Sequence, residues 1–223
     1  MFDFIKVRLI GCTQPLIEEI PDTKGIISYC ARVSNPDNQT NFQTQDKLLA
    51  YCFREGHVSV FETVNLVFEI EVPRDISRQI LRHRSMNFQE YSLRYAKTQD
   101  FCLRETRLQD MKNRQNSVDV DVQDLEQQEL NHMWQEKQRE LLKASEGVYQ
   151  WALSNGIAKE QARAILPEGL TMSKLYANAT VRSWIHYTQV RAHESTQKEH
   201  RDVALKVIQE IQDKLPSLAG FFK

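Results

Sequence analysis

Glycine is scarce in this chain, with seven residues in 223. Neither G-x-G-x-x-G nor G-x-x-x-x-G-K-[ST] occurs, which excludes a backbone-cradled phosphate loop as the main binding device. Long apolar runs are missing too. No stretch approaches the ~20 residues of a membrane helix, and the opening MFDFIKVRLIGCTQPL has no basic segment followed by an apolar one. A cytoplasmic protein with no membrane partner is expected. Neither sign of charge is in excess: 29 Lys and Arg against 30 Asp and Glu leave a formal −1, so no overall field draws the protein to nucleic acid. Cys12, Cys30, Cys52 and Cys102 form no C-x-x-C pair and have no matching histidine spacing. Buried free thiols are expected, with no metal site and no disulfide framework.

What is present describes one folded domain. The 41 % apolar and 26 % charged residues are too apolar a mixture for a disordered chain. IKVRLIGCT alternates as a strand does, and TKGIISYCARVS and TQDKLLAYCFREG carry helical patterns. ETVNLVFEIEV, from Glu62 to Val72, is the clearest strand, and PRDISRQILRHR follows it as a helix with Pro73 suited to its first position. Residues 105 to 128 are polar and read as a mobile excursion within the domain. A long helix is expected from Leu125 to Ser154, with Leu130, Trp134, Leu141, Val148 and Ala152 on its inner face and Asn155-Gly156 as its stop. AKEQARAILP is a short helix, and VRSWIHYTQVR and TQKEHRDVALKVIQEIQDKLP are two more. The architecture reads as α+β, a small sheet carrying several helices.

Arginine is concentrated locally. RHRSMNFQEYSLRY, from Arg82 to Tyr95, holds three arginines, and Arg74, Arg78 and Arg82 stand at i, i+4 and i+8. Like charges so aligned cost about 0.2–0.5 kcal/mol per adjacent pair unless opposed. Arginine rather than lysine dominates, and its planar fork suits phosphate or carboxylate. A phosphorylated ligand held by side chains is the natural expectation. Further on, Val181, Trp184, Ile185 and Thr188 form one stripe of a helix for packing, while Arg182, His186 and Gln189 form another that is free to bind.

The spacing RHR, seven residues, S-x-R-Y resembles the signature of the flavin-dependent thymidylate synthases. EGHVSVFE, RQILRHR, ARAILP and VRSWIHYTQVR are similar to further segments of that family, in the same order. The resemblance implies an α+β fold, a homotetramer with shared active sites, and reductive methylation of dUMP to dTMP. Methylenetetrahydrofolate would be the carbon donor, and FAD reduced by NADPH the hydride carrier. It assigns Gln79, Arg82, Glu90, Ser92, Leu93, Arg94, Arg163 and Arg191 to dUMP. Arg191 is the expected catalytic residue, stabilising negative charge on the uracil. FAD falls to His57, Ser59, Arg82, His83, Arg84, Ser85, Glu90, Arg182 and His186, together with Asn178 or Thr180.

Gln89, Leu93 and Ser195 stand where many members of that family have Asn, Gly and His. Ser92 has no base beside it in the sequence and is assigned to binding, not to nucleophilic attack. Two other readings stay open. One is a related dUMP modification such as hydroxymethylation. The other is an arginine-rich nucleic-acid-binding protein that stacks bases on Phe88, Tyr91 and Tyr95.

Overall fold

The computed structural model describes residues 4–97 and 100–222. Strand β1 (Lys6–Cys12), helices α1 (Thr23–Ala31) and α2 (Gln45–Arg54), strand β2 (Asn65–Pro73), helix α3 (Arg74–Ile80) and strand β3 (Asn87–Glu90) make the first part. Strands β4 (Arg107–Gln109) and β5 (Ser117–Asp119), helices α4 (Leu125–Ser154) and α5 (Lys159–Ala162), strand β6 (Met172–Thr180), and helices α6 (Val181–Arg191) and α7 (Lys198–Lys214) follow. The chain is α+β as expected. Its main sheet has the order β1-β2-β6-β3, every pair antiparallel.

The alternation in β2 creates the core. Leu66, Phe68, Ile70 and Val72 point to one face and are fully buried. Glu69 and Glu71 point to the other, where Arg8 meets Glu69 at 2.9 Å and Lys174 meets Glu71 at 2.8 Å. The apolar face packs with Val181, Trp184 and Tyr187 of α6 and with Val203, Val207 and Ile211 of α7. The Trp184 indole donates to the Leu66 carbonyl at 3.1 Å while its ring lies 4.6 Å from that of Phe68. Cutting such an aromatic side chain back to alanine costs about 3–5 kcal/mol.

β2 and β6 pair along nine residues, from Asn65 opposite Thr180 to Pro73 opposite Met172. Each runs directly into a helix, β2 into α3 and β6 into α6. Because the strands are antiparallel, these helices start from opposite ends of the pair. Pro73 is the last residue of β2 and the N-cap of α3, one place before the position expected for it. α3 ends at Ile80, so Arg82 lies beyond it and only Arg74 and Arg78 share its face.

Two other expectations are corrected. Residues 105–128, expected as a mobile excursion, are built on a β4–β5 hairpin. Arg107 staples its strands, donating to the side chain and carbonyl of Ser117 at 2.8 and 2.6 Å and pairing with Asp119. Asp110 closes the turn, accepting from the Lys112 and Asn113 amides.

The second correction concerns α4, which runs from Leu125 to Ser154 as expected but turns a different face inward. Gln135, Gln138, Ser145, Tyr149 and Ala152 are buried. Leu130, Trp134, Leu141 and Val148, expected inside, are 44–52 % exposed in the single chain. Hydrogen bonding explains the choice. The Gln135 and Gln138 amides donate to the Arg104 carbonyl at 2.9 and 3.0 Å, and Ser145 donates to the Ile165 carbonyl. Of the cysteines, Cys52 and Cys102 are buried and Cys12 and Cys30 half-buried, all as free thiols.

Candidate active site

The arginine-rich segment leaves α3, turns through Arg82-His83-Arg84 and enters β3. There Asn87 pairs with Asn178 of β6. This brings the segment against α6 on one side and α7 on another, and three groups of side chains result.

The first gathers at the C-terminal end of α6. Arg191 donates from Nε to His83 Nε2 at 3.0 Å. An imidazole that accepts there is neutral, with its proton on Nδ1. Burial, then the charges of Arg191 and His186, lower the His83 pKa to about 4. Its ring meets Tyr187 edge-on at 4.9 Å. Behind them His200 is fully buried, and burial with the Arg191 and His83 charges brings its pKa to about 3. His200 Nδ1 lies 3.1 Å from Gln79 Oε1, and Gln79 Nε2 donates to Gln197 Oε1 at 2.8 Å. Arg191 and His83 are thus in contact, and Gln79 is joined to them through His200, whose ring lies 6.1 Å from that of His83.

The second group surrounds Glu90. Its carboxylate accepts from Ser77, from Arg78 at 2.8 Å and from Ser173 at 3.0 Å. Arg78 also pairs with Glu168 at 3.4 Å. The like-charge row of the sequence is therefore partly opposed by carboxylates from distant elements. Arg74 is half-buried, and burial followed by the charge of Arg78 lowers its pKa; Arg163 acts on it as another near cation. Ser92 Oγ accepts from the Arg94 amide at 3.3 Å and Leu93 is buried, its backbone in the turn from Ser92 to Tyr95. Arg94 pairs loosely with Glu160 at 3.7 Å.

The third group lines a cleft of about 440 Å³. Phe53, Phe61 and Ile185 give it apolar walls, and Ser85, Arg182, His186 and Gln189 give it a polar rim. The Arg182, His186 and Gln189 stripe of α6 is exposed, and the Val181, Trp184, Ile185 and Thr188 stripe is buried, as the spacing implied. Gly56 at φ +74 ends α2 in a left-handed turn. That turn leaves His57 and Ser59 exposed at the start of the next helical turn. Arg182 pairs with Glu62, and Ser183 donates to the Ser85 carbonyl at 3.2 Å. Asn178 lies on the open face of the sheet, whereas Thr180 is occupied as the N-cap of α6, accepting from the Ser183 amide.

Among the described residues, the guanidinium groups of Arg74, Arg82, Arg84 and Arg163 make no hydrogen bond or ion pair with the chain. Four guanidinium forks without a hydrogen-bond partner close to one segment suit a ligand with several anionic oxygens. A larger cleft of about 1030 Å³ lies between the hairpin and α4. Of the residues singled out from the sequence as site residues it includes none, so the site is placed at the arginines. Gln197, Glu199 and His200, which join Gln79, escaped sequence reasoning. The only available signal was TQKEHR, polar residues at the start of an amphipathic helix.

The stacking platform of the nucleic-acid reading does not form. Phe88 packs against the core and the Tyr91 hydroxyl donates to the Lys97 carbonyl, so only Tyr95 stands clear.

Residues 15–217 match the model of the family described as thymidylate synthase complementing protein. The chain belongs to this family. It is 45 % identical over 218 residues to the flavin-dependent thymidylate synthase of Synechocystis sp., covering 96 % of this chain and 97 % of the relative. It is 41 % identical over 216 residues to the probable flavin-dependent thymidylate synthase of Paramecium bursaria Chlorella virus 1, with the same coverages. Among solved structures, the UMP/dUMP methylase PolB from Streptomyces cacaoi bound with 5-Br UMP shares the fold at a TM-score of 0.76. The identity is 23 %, over 97 % of this chain and 92 % of that one.

Proposed function

We propose that the chain is a flavin-dependent thymidylate synthase, converting dUMP to dTMP with methylenetetrahydrofolate as carbon donor, FAD as cofactor and NADPH as reductant. Family membership carries the reaction class. The Arg191–His83 pair carries the mechanism. His83, neutral and accepting at Nε2, takes the Nε–H of Arg191 and fixes the plane of its guanidinium without competing charge. The remaining N–H groups of Arg191 face charge that develops on the pyrimidine as N3 loses its proton, which raises the nucleophilicity of C5. A fixed cation aimed at developing negative charge is worth about 10²–10³ in rate.

Gln79, joined to the Arg191–His83 pair through His200, would serve the base end, and Ser92, Arg94 and Arg163 would supply the phosphate end. Arg82 and Glu90 lie along the segment between them, with the backbone at Leu93 turning around the phosphate.

The residues present fit FAD. Uncompensated Arg82 and Arg84, with exposed His57, Ser59, Ser85, Arg182 and His186, offer donors for a pyrophosphate and a polar ring edge, and the apolar cleft offers a wall. Asn178 is favoured over Thr180, whose side chain already caps α6. Bound there, FAD supplies the hydride chemistry that amino-acid side chains lack. The protein's own residues hold the nucleotide, orient Arg191 and keep His83 neutral.

The apolar face of α4 supports a homotetramer, since a row of half-exposed Leu, Trp and Val side chains is the pattern of a covered surface. No helix among the described residues is long and apolar enough to cross a membrane, in keeping with a cytoplasmic assignment.

The test is mass spectrometry of the nucleotide after anaerobic incubation of FAD-loaded protein with dUMP, methylenetetrahydrofolate and NADPH. A methyl-for-hydrogen exchange that depends on FAD is expected. A hydroxymethyl product would replace methylation with the related modification, and unchanged dUMP would sink both.

A further inference from the structure

A single carboxylate sets the direction of a hydrogen-bond chain that ends on a buried histidine. Glu199 is buried and meets Arg104 Nε at 3.2 Å and its terminal nitrogen at 3.0 Å. A carboxylate in that setting only accepts. Gln197 reaches Glu199 at 3.0 Å and must do so with its amide N–H, which leaves its Oε1 for Gln79. Gln79 must therefore turn Nε2 to Gln197 and Oε1 to His200. His200 Nδ1, 3.1 Å away, then has to carry the proton. An amide or an imidazole alone could be reversed with no loss; the Arg104–Glu199 pair removes the choice at each link.

The chain ends among buried polar atoms. His200 Nε2 and the Tyr187 hydroxyl are both buried without a hydrogen-bond partner among the described residues. The His200 ring lies 5.7 Å from that of Tyr187 and 6.1 Å from that of His83, which holds Arg191. Gln79 is thus tied from behind to the same wall that positions Arg191.

We propose that His200, with Gln197 and Glu199, is a positioning residue that holds Gln79 with an amide N–H toward the pyrimidine, selecting uracil over cytosine. The inference rests on the assignment of Gln79 to the nucleotide made above. Gln197 uses one hydrogen of the Gln79 amide, and the second is left for the ligand. Uracil presents a carbonyl acceptor at C4; cytosine presents an amino donor there. A fixed donor pairs with the first and opposes the second, whereas a freely rotating amide would turn its oxygen to cytosine and accept either base. Selectivity of this kind comes from denying the site an alternative hydrogen-bond arrangement.

The experiment is calorimetric titration of the FAD-loaded protein with dUMP and with dCMP, for wild type, His200→Leu, His200→Asn, Gln197→Leu and Gln79→Ala. The preference for dUMP should fall about tenfold in His200→Leu and in Gln197→Leu, the weight of one hydrogen bond. His200→Asn, whose amide N–H can replace Nδ1–H, should restore it. A general loss of structure would weaken both nucleotides without moving their ratio. If His200→Leu fails to fold, Gln197→Leu, at an exposed position, decides alone. An unchanged ratio in Gln197→Leu, with Gln79→Ala weakening dUMP, overturns the positioning chain and leaves the Gln79 assignment standing. Unchanged dUMP affinity in Gln79→Ala overturns that assignment and the inference with it.

Discussion

Arg191 and His83, 108 residues apart, meet through one hydrogen bond of 3.0 Å in which the arginine donates and the histidine accepts. The bond requires a neutral imidazole, and it joins the helix following β6 to the turn following β2's helix. Arg191→Ala should lower turnover by about 10²–10³ while FAD stays bound, because Arg191 does not line the cleft formed by Ser85, Arg182 and His186. Single-turnover rates with the flavin content measured alongside would check this. An alanine variant of near wild-type rate would remove Arg191 from the chemistry.

His83 and His200 should make the fold acid-sensitive. Their folded pKa values of about 4 and about 3 lie below the ordinary histidine value of roughly 6.5. Between pH 6.5 and 4 the unfolded chain takes up protons that the folded chain refuses. Stability is therefore full above about pH 6.5 and falls as the pH drops. For the enclosed His200 the slope approaches about 1.4 kcal/mol per pH unit; the half-buried His83 adds a smaller share. Urea midpoints across this range should fall in wild type and fall less steeply in His200→Asn. Equal slopes would show that His200 is not held neutral.

Much of this was legible in the sequence, and the exceptions have physical reasons. The α4 boundaries could be read because its caps are local: Asp124 accepts from the Glu126 and Gln127 amides, and Gly156 turns left-handed at its end. The α6 stripes could be read because Trp184 and Thr188 lie on one helical face and His186 on another. β6 carried no such signal. MSKLYANAT alternates, but its inward residues include Ser173 and two alanines, small enough for close packing and too weakly apolar to mark a strand. The inner face of α4 was misjudged because its burial is driven by amide hydrogen bonds to Arg104, a contact across more than thirty residues. The Gln79–Gln197 link spans 118 residues, beyond any local pattern.

Arg104 should be among the costliest residues to remove. It is held between Asp75 at 2.9 Å and Glu199 at 3.0 Å, and it also donates to the Gly169 carbonyl. Burial raises the Asp75 pKa even against the pull of Arg104. Arg104→Met would leave two enclosed carboxylates without their cation, at about 3–5 kcal/mol. Arg104→Lys should recover only part of this, since an ammonium cannot span three acceptors as the planar fork does. Urea denaturation of the three proteins would show the order wild type, Lys, Met; equal midpoints for Lys and wild type would refute the geometric account.

The outward face of α4 makes the last prediction. Leu130, Trp134, Leu141 and Val148 recur at helical spacing and are half-exposed in the single chain, while the opposite face is satisfied by hydrogen bonds. A contiguous row of this kind marks a contact surface, and truncating a buried aromatic anchor typically weakens an interface by about 2 kcal/mol or more. Placing charge there should do more, because a carboxylate would be desolvated without a partner. Trp134→Glu combined with Leu141→Glu should convert the proposed tetramer to smaller species in sedimentation velocity, with the secondary structure retained by circular dichroism. If active sites are shared between subunits, FAD affinity should fall in the same variant. An unchanged assembly would show that α4 is not the contact between copies.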